Sequence, residues 1–484
     1  MINARPPFTV ETNLSPKGSR VSILAREEPF RMVAKTYSRR ARGGHGIAPW
    51  WRGGTLAVVS AAALVIPAVP VQAAPGDLDT SFGGDGKVTT PFGANFSVAN
   101  AVAYSGDKVI VAGRVGDAIT GDFGLARYNA DGSPDTGFGT GGLVTMNFSP
   151  LSDVPRDIGL QSDGRIIVGG LTNSEPAGDA IVARYTTDGT LDTTFGTGGT
   201  TVIDISGVGD AIRGLVVEPD DQIVGSGPAG ADSALMRLNA DGTLDTSFGS
   251  DGIVRTSAGI GDHFFNIARD ADGRYVVVGT VDGDFLVSRY KTDGTPDTAF
   301  GDDGRVITPF ETAESDLAMD VVVRDNGNII AVGETGAVDD IGITTTRFAL
   351  AQYTSDGGLA PGFGSGGTVT TDITSTLGAA ADGIRGAVLQ SDRLTVAGFC
   401  GESHGITNFL EPVVGDFCLA RYDAGDGSLD TAFGGDGTVI TDFTGKGDGA
   451  RAIASKGGKV TVVGGAEGPP PGVDFALARY MSAP

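Results

Sequence analysis

Residues Phe285–Phe310 read FLVSRYKTDGTPDTAFGDDGRVITPF, and variants of this stretch recur from one end of the 484-residue chain to the other. Its central Phe-Gly appears at Phe82, Phe138, Phe195, Phe248, Phe300, Phe363 and Phe433, at intervals of 56, 57, 53, 52, 63 and 70 residues. A period of this size marks a supersecondary unit stacked many times. A companion run ending in Arg-Tyr or a near variant occurs seven times as well, as in FGLARY at 123–128, FCLARY at 417–422 and FALARY at 475–480.

The unit around Phe285 predicts four short strands. Strand a is Asn266–Asp270 and strand b Arg274–Val281; Asp282-Gly283 then turns the chain back into strand c, since Asp-Gly tolerates the positive φ of a tight hairpin. After Thr292-Asp293-Gly294-Thr295 comes an outer strand d, Gly304–Phe310. Four strands per unit without helical periodicity predict an all-β chain of propeller blades. The repeat starts with the second half of a unit, Asp77–Phe92, and stops just after the first half of another, FALARY. Joining the two ends makes seven whole units, so the expected fold is a seven-bladed β-propeller whose N-terminal strand completes the last blade and removes a sheet edge.

The pattern DGxxxVAG…DFALARYNADGSLDTSFGxGGxV, matched in phase over roughly residues 77–480, resembles the bacterial delta-60 repeat. The resemblance implies a propeller of unknown function found in secreted and surface proteins, and supplies no activity to carry over. The unit around Phe363 departs most, with Leu359-Ala360-Pro361-Gly362 where others read Leu-Asp-Thr-Ser.

The N-terminal region is different material. Residues 1–31 lack periodicity and read as a disordered leader or a misassigned start, with Met32 an alternative beginning. Residues 32–74 carry Arg39, Arg40, Arg42 and Arg52, then an apolar run from Thr55 to Ile66, then Val71-Gln72-Ala73. Basic, apolar and small residues in that order predict a secretory signal, with Pro67 and Pro70 arguing against a membrane anchor. The propeller is then 75–484, secreted or held at the cell surface. Residues 1–74 hold ten Lys or Arg against three Asp or Glu, which leaves the remainder at −31 from −24 overall. Such an acidic surface repels nucleic acid and anionic membrane, so neither is expected as a partner, and a monomer contacting a protein or small ligand is the expectation.

Four sets of residues are candidates for function. Where the chain enters strand a it reads Asp153-x-x-Arg156, Asp210-x-x-Arg213, Asp382-x-x-Arg385 and Asp448-x-x-Arg451, while Asp262 and Asp316 keep the acid alone. These residues are expected at the mouth of a central channel, either neutralising one another between blades or binding an anionic or metal-bridged ligand. The long loop 401–415 groups His404, Phe409 and Leu410 as a protein contact. Cys400 and Cys418, the two cysteines, would sit one diagonal step apart and could form a disulfide. The Asp-Gly corners, Asp131 with Asn129 and Asp135 for example, loosely suggest a calcium loop but already serve as turns, so no metal site is assigned and calcium is the one cofactor in view.

The Arg of strand c and the Asp of the Leu/Pro-Asp-Thr step repeat in nearly every unit and read as internal braces. No G-x-S-x-G, phosphate loop or H-E-x-x-H occurs, and both tryptophans precede the repeats. A secreted, non-enzymatic binding or structural module acting through its loop-bearing face is therefore the leading expectation. The alternatives are a hydrolase or lyase with an Asp/Arg site at the channel mouth, and a calcium-stabilised adhesin.

Overall fold

In a computed structural model the described residues are 73–93, 96–117, 120–172, 178–257, 262–310, 315–338, 344–373, 381–401, 415–445, 447–468 and 472–483. The predicted leader and signal, up to residue 72, and the contact residues His404, Phe409 and Leu410 lie outside them.

The stretch that recurs in sequence folds as its turn chemistry dictates. His263–Arg269, Tyr275–Val281, Asp284–Tyr290 and Arg305–Thr308 form one antiparallel sheet in that order. Asp282 and Gly283 both take positive φ, 51° and 87°, as the two-residue hairpin requires. Strand d is shorter than its sequence suggests, Arg305–Thr308, and is four residues long in the other units too, whether or not a proline follows it. Among the described residues there are five such four-stranded sheets, with a sixth of eight strands. The eight-stranded sheet consists of two four-stranded sets joined by a single parallel pairing, Phe96 with Val473. All described elements are strands, so the described part of the chain is an all-β propeller.

In one of those sets the outer strand comes from the N-terminal arm. Lys87–Thr90 pairs antiparallel with Val473–Met481, Lys87 facing Ala478 and Thr90 facing Phe475. Further back Gly76 N donates to Met481 O at 2.8 Å, and Asp79 binds the guanidinium of Arg479 at 2.7 Å.

Successive sheets are joined by the residues that made the repeat visible. The Phe-Gly amide of one unit donates to the Asp-Gly carbonyl of the next: Gly83 to Asp131, Gly139 to Asp188 and Gly196 to Asp241, each at 2.8 Å. The Asp-Gly glycine lies so close to this junction that a Cβ on Gly357 would stand 2.6 Å from Gly301 N. Only glycine tolerates both that approach and its φ of 94°. The same junction joins Gly434 N to Pro75 O at 3.0 Å, with Gly76 in the glycine's place.

The strand-c arginines are inter-unit braces. Arg184, 3% exposed, pairs with Asp192 at 2.8 Å, stacks over Phe195 at 4.7 Å and donates to Ala240 O of the following unit at 2.7 Å. Arg289 repeats the triple contact with Asp297, Phe300 and Ser355 O, and Arg479 with Asp79, Phe82 and Ala130 O. In the divergent unit Gln352 replaces the arginine and Ala360 the aspartate, and Gln352 Nε2 keeps the bond to the next unit, Ala424 O, at 2.7 Å. The core fills the space between sheets; Phe123, Phe138, Ile166 and Tyr185, for instance, come from two successive units and are all buried.

Candidate functional site

Strand a is the first strand of each sheet, and its seven copies are Phe96–Ser105, Val154–Leu160, Gly214–Val217, His263–Arg269, Ser315–Val323, Gly383–Gln390 and Asp448–Lys456. Six of them carry a β-bulge, with pairing skipped at Asn100, Arg156, Phe265, Met319, Arg385 and Arg451. In the shortest copy Arg213 stands at the corresponding place, just before Gly214. A bulge adds a residue to one strand and re-aims its side chain. All seven residues line one cavity of about 180 Å³.

The structure separates the predicted Asp-x-x-Arg sets into two places. In a strand of period two, residues three apart point to opposite faces, so the aspartate and arginine of each set diverge. The aspartates turn to the loop that arrives from the preceding strand d. Asp153 accepts from Phe148 N, Ser149 N, Ser149 Oγ and Thr172 Oγ1 at 2.6–3.0 Å. Asp210 accepts from Ile205 N and Ser206 N, Asp316 from Phe310 N, Asp382 from Ile373 N, and Asp448 from Phe443 N. Asp262 takes the Ser233 hydroxyl at 3.2 Å. All six are buried.

The arginines meet in the cavity. Arg385 pairs with Glu334 at 2.8 Å and stacks over Phe399, while Arg213 stacks over Phe265 at 5.1 Å. Nε of Arg156 and Nε of Arg451 are shut off from solvent and have no hydrogen-bond partner. Burial and the neighbouring charges of Arg213, Arg451 and Arg114 pull the Arg156 guanidinium well below its ordinary pKa. Burial, then Arg385, lowers Arg451 to about 10, and burial lowers Arg213 to about 10. Crowded cations in a partly desolvated hollow make an electropositive spot inside an acidic protein.

Two acids on the same wall were not singled out by the repeat. Asp157 accepts from Ile158 N and from Leu215 N of the neighbouring sheet, both at 2.7 Å. Asp320 accepts from Asn266 Nδ2, Val321 N and Ala387 N, so it ties three sheets together. Burial pushes Asp157 up to about 6 and Asp320 to about 7. Each follows its bulge residue directly, and a polar residue at that position of strand a was the signal available in sequence.

Elsewhere, Asp179, Asp204 and Asp210 form one cluster and Asp416, Asp442 and Asp448 another, each with oxygens within 4.8 Å. In related positions an amide or a cation relieves the charge: Asn147 donates to Asp122, and Arg347 lies 4.0 Å from Asp372. The two triads are where described acids could hold a cation, although one oxygen from each carboxylate supplies three of the about six to eight that calcium takes. At the Asp-Gly corner Asp131 Oδ1 is occupied by Ser133 N and Oγ. Cys400 and Cys418 are joined by a disulfide, Cα atoms 5.8 Å apart, with Cys418 facing Gly398 and Cys400 facing Asp416. A larger hollow of about 710 Å³ lies at the outer strands Arg305–Thr308 and Thr368–Thr371, where Arg347 is the one charged residue among its described lining.

Segments 107–138, 161–195, 218–248 and 271–300 match the family model described as "Domain of unknown function (DUF5122) beta-propeller". No curated protein is detectably similar. Among solved structures, the chain is similar to a catalytically inactive virginiamycin B lyase from Staphylococcus aureus with quinupristin, at 11% identity and a TM-score of 0.43, covering 81% of this chain and 98% of that one. Polysaccharide lyase Uly1 aligns at 11% identity and a TM-score of 0.44 over 79% and 89% of the two chains. Drosophila Plexin A in complex with Semaphorin 1b aligns at 10% and 0.41 over 84% and 88%. Likeness at this level assigns no activity to this chain.

Proposed function

Because the chain carries DUF5122 β-propeller repeats, a domain of unknown function, we propose that it closes as seven four-stranded blades and works as a non-enzymatic binding module whose axial cavity takes an anion. Closure is supported by strand a of each unit lying against the next, with Asp448–Lys456 against Phe96–Ser105, and by the arm Lys87–Thr90 completing the sheet of Val473–Met481. The observation that carries the binding reading is the convergence of Arg156, Arg213, Arg385 and Arg451 on one cavity, where the buried Nε atoms of Arg156 and Arg451 lack an acceptor. A guanidinium offers planar, bidentate donors suited to carboxylate, sulfate or phosphate, and an oxyanion there would satisfy both groups.

An acid–base site fits less well. Asp157 and Asp320 accept backbone N–H groups from neighbouring strands, which is how a brace is used. A secreted or surface location accords with the Cys400–Cys418 disulfide and with the basic, apolar and small residues ordered along 32–74.

Calorimetric titration with inorganic phosphate tests the binding reading. The wild-type chain should bind it, and Arg156→Gln with Arg451→Gln should weaken binding by at least about tenfold, since charged hydrogen bonds contribute roughly 1.5–3 kcal/mol each. The double variant should melt no lower than wild type because it relieves like-charge repulsion. Equal phosphate binding by both proteins would sink the reading.

A further inference from the structure

The cavity is polarised, and this narrows what it can hold. In chain order its seven bulge positions are Asn100, Arg156, Arg213, Phe265, Met319, Arg385 and Arg451. The two apolar residues are consecutive, and Asn266 Nδ2 donating to Asp320 at 2.7 Å holds their strands side by side. The arginines nearest that apolar pair already have partners, Arg213 stacked on Phe265 itself and Arg385 bound to Glu334. Arg156 and Arg451, which retain donors without acceptors, instead flank Asn100. One side of the cavity is therefore cationic and the other apolar.

Resting on the anion-binding reading above, we propose that the ligand is a small organic monoanion. Its oxyanion head lies between Arg156 and Arg451, and a short apolar body lies against Phe265 and Met319. Size supports this class: about 180 Å³ corresponds to the liquid volume of about six waters and falls below the roughly 300 Å³ at which drug-sized ligands begin to fit. A single ring or a short chain fits within that volume, whereas an oligosaccharide, nucleotide or peptide would leave most of its surface outside it. Charge supports it as well, because Asp157 and Asp320 also line the cavity and in their ionised forms disfavour a second anionic group.

Three probes separate head from body on the full chain: benzoate has both, acetate has the head, and benzyl alcohol has the body. By calorimetry benzoate should bind at least about tenfold more tightly than acetate, with benzyl alcohol giving no saturable binding. Met319→Gln, of similar length but polar, should bring benzoate down towards acetate and leave acetate unchanged. Phe265→Leu, which keeps that wall apolar, should retain most of the benzoate advantage, and Arg156→Gln should weaken benzoate and acetate alike. Equal binding of benzoate and acetate, or a benzoate advantage untouched in folded Met319→Gln, overturns the proposal. If phosphate binds but benzoate does not, this inference falls while anion binding stands; if neither binds to folded wild-type protein, both fall.

Discussion

The junctions between units and the cavity lined by the strand-a bulges are built from the same repeat and obey opposite rules. At the junctions nearly every copy spends the same residues on the same contacts: Phe-Gly against Asp-Gly, and an arginine clamped between an aspartate, a phenylalanine and a carbonyl of the next unit. Even the divergent unit, with Gln352 for arginine, preserves the bond across the junction. Around the cavity one position per unit changes freely among Asn, Arg, Phe and Met. A repeated brace must be repeated because each interface needs it, whereas a single ligand in a cavity shared by several units would meet each from a different direction. Variation at a geometrically equivalent position therefore points to recognition more directly than the residues that announce the family.

The sharpest way to break the comparison is to remove a junction outright. A chain lacking residues 75–90 loses the strand beside Val473–Met481 together with the Asp79–Arg479 brace. It should show an unpaired sheet edge, association by size-exclusion chromatography and loss of a single cooperative melt; a monomer with an unchanged melt would contradict closure by the arm. A smaller effect should follow from Arg184→Ala. Arg184 is 3% exposed and Asp192 10%, so removing the cation takes from a buried acid its shorter ion pair, leaving Arg165 at 3.3 Å, and breaks the bond to Ala240 O; it should cost about 2 kcal/mol in denaturant unfolding. Phosphate binding should survive in the fraction that remains folded.

The smallest effect concerns Asp320, which belongs to both regions because it lines the cavity and bonds to neighbouring sheets. Its pKa is raised from 3.8 to about 7, chiefly by burial. The folded chain thus holds this proton more tightly than the unfolded chain, and stability from this group is present below about pH 4 and lost as pH rises through about 7. Asp320→Asn should flatten that dependence by about 1–2 kcal/mol between pH 5 and pH 8, read from urea midpoints. An identical pH profile in variant and wild type would show that Asp320 does not titrate in this range.

Much of the fold was legible because its determinants are local. Asp282-Gly283 specifies a hairpin by φ alone, and alternating runs such as DFLVSRY specify a strand between two buried faces. The candidate site was legible only in part. Spacing marks Arg156, Arg213, Arg385 and Arg451, which share one cavity, but it also groups with them the aspartates three residues earlier, which a period of two sends to the opposite face. Asn100, Phe265 and Met319 went unnoticed because nothing in their local pattern marks them: they matter by occupying the arginine's place in units that lack it.

By itself the sequence determined the unit, its four strands, its turns and the phase in which the chain begins and ends the repeat, since these depend on backbone preferences over a few residues. Only the tertiary structure decided which side chains share the cavity, because seven residues, each some fifty to seventy positions from the next, meet there. Their meeting depends on the bulge in strand a and on the packing of one sheet against the next, which are long-range effects that no window of sequence contains.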